Sequence, residues 1–167
     1  SYQKYYMEDN MKKITLIAFL FGLLSISSAF AHCQVPCGIF TDDLRFSMMN
    51  ENADTVMKCM KQIVELSKAE KPDYNQIVRW ITTKDHHADD IIDICSKYFL
   101  CQQIKAPKDP NNENERQAYL KKLELVHKLM VTAMKCKQTT DIAMVENLKN
   151  SIHEFQHAYS GAHTHKH

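Results

Sequence analysis

Apolar residues recur at three- and four-residue intervals in four separate blocks of this chain, a period that the amphipathic helix satisfies and the strand does not. The first block places Phe46, Met49, Ala53, Val56, Met60, Ile63 and Ser67 on one face. The second places Ile77, Ile81, Lys84, Ala88, Ile91, Cys95 and Tyr98 there, with Trp80 and Ile94 beside them. Tyr119, Leu123, Val126, Met130 and Ala133 form the third stripe, and Ile142, Val145, Leu148, Ile152, Phe155 and Tyr159 the fourth. Local signals bound each block. Thr41-Asp42-Asp43 can cap a helix start, and Lys71-Pro72 ends the helix it opens. Asp73 with Gln76 three residues later reads as a capping box. Ala106-Pro107-Lys108-Asp109-Pro110-Asn111-Asn112 is the clearest loop, Gln138-Thr139-Thr140 a short link, and Gly161 a helix stop. No segment reads as a strand, and Gly 3 with Pro 4 is too few for the turns of a β-sandwich or a doubly wound sheet. Four helices with short links predict an all-α, antiparallel up-down four-helix bundle over residues 41–160.

The formal net charge of +1 gives no global electrostatic case for nucleic acid or an anionic membrane as partner. Of the six cysteines, Cys59, Cys95, Cys101 and Cys136 lie in helical blocks. Cys95 and Cys101 would sit roughly 9 Å apart along one axis, too far to bridge each other. Buried free thiols are the favoured reading, with a disulfide framework as the alternative.

The remaining information is concentrated before the bundle. Lys12-Lys13 is a positive n-region, Ile14 to Ile26 an apolar run, and Ala29-Phe30-Ala31 a small-x-small cleavage site. The run falls short of the ~18 residues needed to span a bilayer. Residues 1–31 therefore read as an upstream extension plus a cleaved signal peptide, with translation starting at Met7 or Met11. Export follows, to a periplasm or the exterior, or to an organelle in a eukaryote. The mature protein is not expected to be membrane-bound. Signal peptidase would be the maturation partner, and His32 the new N-terminus.

Cleavage there would bring a free amine, an imidazole and two thiols together within His32-Cys33-Gln34-Val35-Pro36-Cys37-Gly38. Thiolates select soft or borderline metals, and an α-amine with a reference pKa near 8 deprotonates at little cost. The His32 amine and the Cys33 amide nitrogen can close a five-membered chelate ring. With both thiolates they make a planar N2S2 set, a geometry that points to Ni(II) or Cu(II). The His32 ring can approach as an axial fifth ligand. Pro36 restricts the turn, and Gly38 lets the chain leave close to the metal. A Cys33–Cys37 disulfide, a zinc half-site and a mere leader remnant compete with this reading. Zinc is disfavoured because no second C-x2-C or H-x3-H pair stands nearby.

His32-Cys33-x-x-Pro36-Cys37-Gly38 resembles the metal-binding hook of the nickel-containing superoxide dismutases. Asp43-Leu44-Arg45-Phe46, Lys61-Gln62-Ile63 and Val78-Arg79-Trp80 are similar to bundle sequences of some members. The resemblance implies a hook over 32–40 freed by proteolysis, ahead of a four-helix bundle that assembles as a homohexamer. It implies one nickel ion per subunit, cycling between Ni(II) and Ni(III) to disproportionate superoxide into oxygen and hydrogen peroxide. Carried over by position, the ligands are the His32 amine and imidazole, the Cys33 amide nitrogen, and the Cys33 and Cys37 thiolates. Pro36, Gly38, Phe40 and Arg79 would surround them, with Arg45 the alternative arginine. The family's usual tyrosine is Phe40 here, so its hydroxyl is missing while its ring packing is kept. Gln34 stands where an acidic residue is common.

Two rivals use the same leader. One is a copper site built on an N-terminal histidine, which more often sits on a β-sandwich with a second histidine ligand. The other is a non-catalytic exported nickel- or copper-binding helical protein. Among the remaining histidines, His86-His87 with Asp89-Asp90 reads as a solvated helical face. His127 and His153 read as lone packing or surface residues. His157, His163, His165 and His167 form a tail, at 161–167 and just before it, that reads first as an uninvolved terminus and second as a loose nickel or copper site.

Overall fold

The computed structural model describes residues 42–160, which fold as four helices with no strand among them. They are α1 (Asp42–Ser67), α2 (Tyr74–Asp93), α3 (Glu113–Lys137) and α4 (Ile142–Ser160). Ile94–Gln103 continues α2 as a π-helix. Each helix packs against the next, and α4 returns to α1, so the four make a closed bundle. The pairing is antiparallel. Asn52 meets His87 in mid-bundle while Asp42 meets Tyr98 at one end, and α4 runs back along α1 from Lys149 beside Asp54 to Tyr159 beside Asp42.

The helix ends follow local chemistry. Asp73 Oδ1 accepts the Gln76 amide at 3.1 Å, so the expected cap of α2 forms. Asn112, the last residue of the predicted loop, caps α3 through its Oδ1, which accepts the amides of Asn114 and Glu115 at 3.1 and 3.2 Å. In the short third link, Asp141 Oδ1 accepts the Ala143 amide at 2.9 Å. The expected Thr41 cap and the Gly161 stop lie outside the described residues.

The stripes of α1 and α4 are buried along most of their length, at Phe46, Met49, Ala53, Val56, Met60, Ile63, Val145, Leu148, Ile152, Phe155 and Tyr159, whereas Ser67 at the end of α1 is exposed and Ile142 at the start of α4 is only partly buried. In α3 the buried face is rotated from the expected one. Leu125, Leu129 and Cys136 join Val126 and Ala133 inside, whereas Tyr119, Leu123 and Met130 only pack partly against the core. An apolar stripe on two adjacent ridges leaves that choice to the neighbouring helices. The first turns of α2 stay outside, with Tyr74, Val78 and Ile81 exposed.

Lys84 lies on the inward face of α2 and is 2% exposed. Its ammonium donates to the carbonyl of Cys136 at 2.9 Å and to that of Lys137, and it sits 3.1 Å from Asp85. The last carbonyls of α3 lack intrahelical partners, so a cation from α2 completes the α3 C-terminus. Lys84→Met keeps the stem and removes the donor. It should cost about 1–3 kcal/mol, seen as a lower urea midpoint with an unchanged slope.

Candidate metal centre

The expected nickel ligands His32, Cys33 and Cys37, with Pro36, Gly38 and Phe40, lie outside the described residues. What the structure describes is the end of the bundle where this segment joins, because α1 begins at Asp42. A dense aromatic cluster fills that end. Phe46 of α1, Phe99 of the π-helix, and Phe155 and Tyr159 of α4 have ring centroids 4.9 to 5.9 Å apart. Tyr98 meets Phe99 edge-on at 5.1 Å.

The π-helix was not foreseen from the sequence, where residues 94–103 continue an ordinary helix. Its wider turn lets consecutive residues point inward in pairs, and Ile94 with Cys95 and Tyr98 with Phe99 are buried. It closes with the Ile104 amide donating to the Phe99 carbonyl at 2.8 Å. Tyr98 is thereby aimed at the start of α1.

Asp42 draws the three helices together. Its Oδ1 accepts the Tyr98 hydroxyl at 2.6 Å and its Oδ2 accepts the Tyr159 hydroxyl at 3.1 Å. Beside it Arg45 is buried, with its guanidinium 5.0 Å over the Tyr98 ring and Nη1 donating to Met48 Sδ at 3.7 Å. Burial pushes the Tyr98 hydroxyl up to about 12, and the hydrogen bond to Asp42 and its charge act in the same direction, against Arg45. Burial, then the charge of Asp42, raises Tyr159 further. Both folded values exceed the ordinary 10, so the stabilisation is complete below pH 10 and is lost as pH rises toward 12. The urea midpoint should therefore fall steeply above pH 10, and Tyr98→Phe should make the fall shallower. A wild-type midpoint that stays level through pH 12 would contradict this coupling.

Arg79 is exposed in the second turn of α2. It lies roughly 25 Å along the helix from Tyr98, so within one subunit it and Asp42 occupy opposite ends. Arg45 is the arginine at the end where α1 begins. Sequence reading gave Asp42 only a capping role and Tyr98 and Tyr159 only core positions. The available signal was that two apolar stripes end in tyrosine at the bundle end where α1 begins with an acid.

The described cysteines are all free, with Cys59, Cys95 and Cys136 buried and Cys101 exposed. The favoured thiol reading therefore holds, with Cys101 at the surface rather than inside. Burial raises the Cys59 thiol, and it pushes Cys95 up to about 12 and Cys136 up to about 11. Thiols held protonated are poor metal ligands. Among the described residues no group of three or more His, Cys, Asp or Glu could hold a metal ion. The amine, amide and thiolate donors expected at 32–37 would, by their chemistry, fit a borderline metal. His87 is not on a merely solvated face: its Nδ1 donates to Asn52 Oδ1 at 2.6 Å, and Asp89 accepts Lys137 Nζ at 2.7 Å.

A family model described as nickel-containing superoxide dismutase matches residues 27–163. No curated protein and no solved structure matches the chain.

Proposed function

The chain belongs to the nickel-containing superoxide dismutase family, and from that premise we propose that its nickel is held by the His32 amine and imidazole, the Cys33 amide nitrogen, and the Cys33 and Cys37 thiolates. It is an oxidoreductase with a nickel cofactor and superoxide as substrate. The observation that carries the ligand assignment is the extent of the match. It starts at residue 27, so it takes in the cleavage site and the whole of His32-Cys33-x-x-Pro36-Cys37-Gly38 ahead of the bundle.

Nickel, when bound, supplies one-electron chemistry between Ni(II) and Ni(III), which thiolate and anionic amide donors bring into a usable range. The protein's part begins with proteolysis before His32, which frees the amine. Both thiols and the amide must then lose their protons, so loading releases protons and weakens in acid. Pro36 and Gly38 restrict and turn the chain around the donors. Asp42, anchored by Tyr98 and Tyr159, gives the segment a fixed point two residues past Phe40.

Export through the leader accounts for the cleavage. No helix among the described residues is long and apolar enough to cross a membrane. A homohexamer would cover the hook and also the apolar start of α2, where Tyr74 is 73% and Val78 59% exposed. The test is N-terminal sequencing of mature protein alongside its metal content and a superoxide-decay assay. The expected result is a chain beginning at His32 with one nickel per subunit. Full activity in a chain beginning elsewhere would overturn the assignment.

A further inference from the structure

We infer that the outer face of α4 carries a second, exchangeable site for a borderline divalent transition-metal ion, formed by the imidazoles of His153 and His157. The two residues are one helical turn apart and both are exposed. Their Nε2 atoms approach to 3.2 Å, with ring centroids 4.4 Å apart and planes at 64°. Two imidazole nitrogens each about 2.0–2.1 Å from one ion, at an angle between square and tetrahedral, stand about 2.9–3.3 Å from each other. The rings are thus already at the separation that chelation requires, and little side-chain freedom remains to be lost on binding.

The surroundings leave this pair available. Glu154, between them in sequence, is held by Lys128 Nζ at 2.7 Å across to α3, so it neither bridges the rings nor competes as a ligand. The rings bond each other, which for neutral imidazoles is one N–H donating to one lone pair. On binding, the donating ring gives up its Nε2 proton and takes one at Nδ1 by exchange with water, so that both rings stay neutral and the cation takes the two Nε2 lone pairs. Imidazole donors suit Ni(II), Cu(II) and Zn(II). Two ligands with the remaining positions open to water make an exchangeable site and not a structural one. The site does not rest on the assignment of the hook. The sequence after α4 adds His163, His165 and His167 within ten residues of His157.

The test is equilibrium dialysis of the mature, nickel-loaded full chain against Ni(II) alone, with circular dichroism to confirm folding. The wild type should take up one ion beyond that of the hook. His153→Gln and His157→Gln should each weaken that ion's binding ~100-fold, within the span for losing one arm of a chelate. Cys33→Ser with Cys37→Ser should remove the hook's ion and leave the second, which separates failure of one site from failure of the other. A chain lacking 162–167 should still bind the second ion. The inference is overturned if the wild type takes up no extra ion, or if the His153→Gln/His157→Gln protein binds it as tightly as the wild type. Loss of the ion on removing 162–167, with both helical histidines in place, overturns it equally.

Discussion

A mature chain carrying one extra residue ahead of His32 should lose its nickel and its superoxide-decay activity together while its helices remain. The added peptide bond converts the His32 amine into an amide, whose nitrogen lone pair is delocalised and no longer a ready donor. The chelate ring shared with the Cys33 amide goes with it. Nickel affinity should fall by roughly 10²–10⁴-fold, the span for losing an intramolecular ligand, and activity should reach background. The fold should not follow. Its core runs from Phe46 to Tyr159 and is closed by contacts among α1 to α4. The measurement pairs metal content and superoxide decay with circular dichroism and a urea midpoint. An extended chain that kept nickel and activity would remove the amine from the ligand set. One that lost its helices as well would show that the N-terminal segment is part of the folding unit.

Asp42→Ala should produce the largest loss of stability for a single change near the surface of the bundle. Asp42 is the acceptor for Tyr98 from the π-helix and Tyr159 from α4, and it begins α1. Hydrogen bonds to a charged acceptor contribute about 1.5–3 kcal/mol each, so losing both should cost on the order of 2–4 kcal/mol after the site relaxes. Asp42→Asn keeps one carbonyl acceptor and should fall between. Tyr98→Phe and Tyr159→Phe complete a double-mutant cycle in which the effects are non-additive, because the partners share one carboxylate. A loosened α1 start should also raise the rate at which nickel is lost on dialysis. Asp42→Ala with a wild-type urea midpoint would show that the carboxylate does not hold the three helices together.

The two predictions act on parts of the protein that were unequally legible. The proposed donor set is drawn from a few consecutive residues, because an amine, an amide and two thiolates six residues or fewer apart need no fold to bring them together. Its support does not read that way. Arg79 is expected beside the donors with Arg45 as its alternative, and within one subunit the bundle places Arg79 at the end away from Asp42 and Arg45 beside it. His153 and His157 were separable in principle, being one turn apart. They were missed because His153 was weighed as a lone residue and His157 with the tail.

The sequence by itself determined four helices, the cap at Asp73 and the up-down order that short links impose, and it supplies the donors proposed for the N-terminal metal site. All of these depend on residues within a few positions of each other, where periodicity and spacing carry the physics. Only the tertiary structure decided which ridge of α3 turns inward, that α2 ends as a π-helix, that Lys84 serves the carbonyls of Cys136 and Lys137, and that Asp42 is shared by two tyrosines. Those contacts join residues 52 to 117 positions apart. They exist because antiparallel packing brings particular helix ends together, and a buried charge must find its partners there.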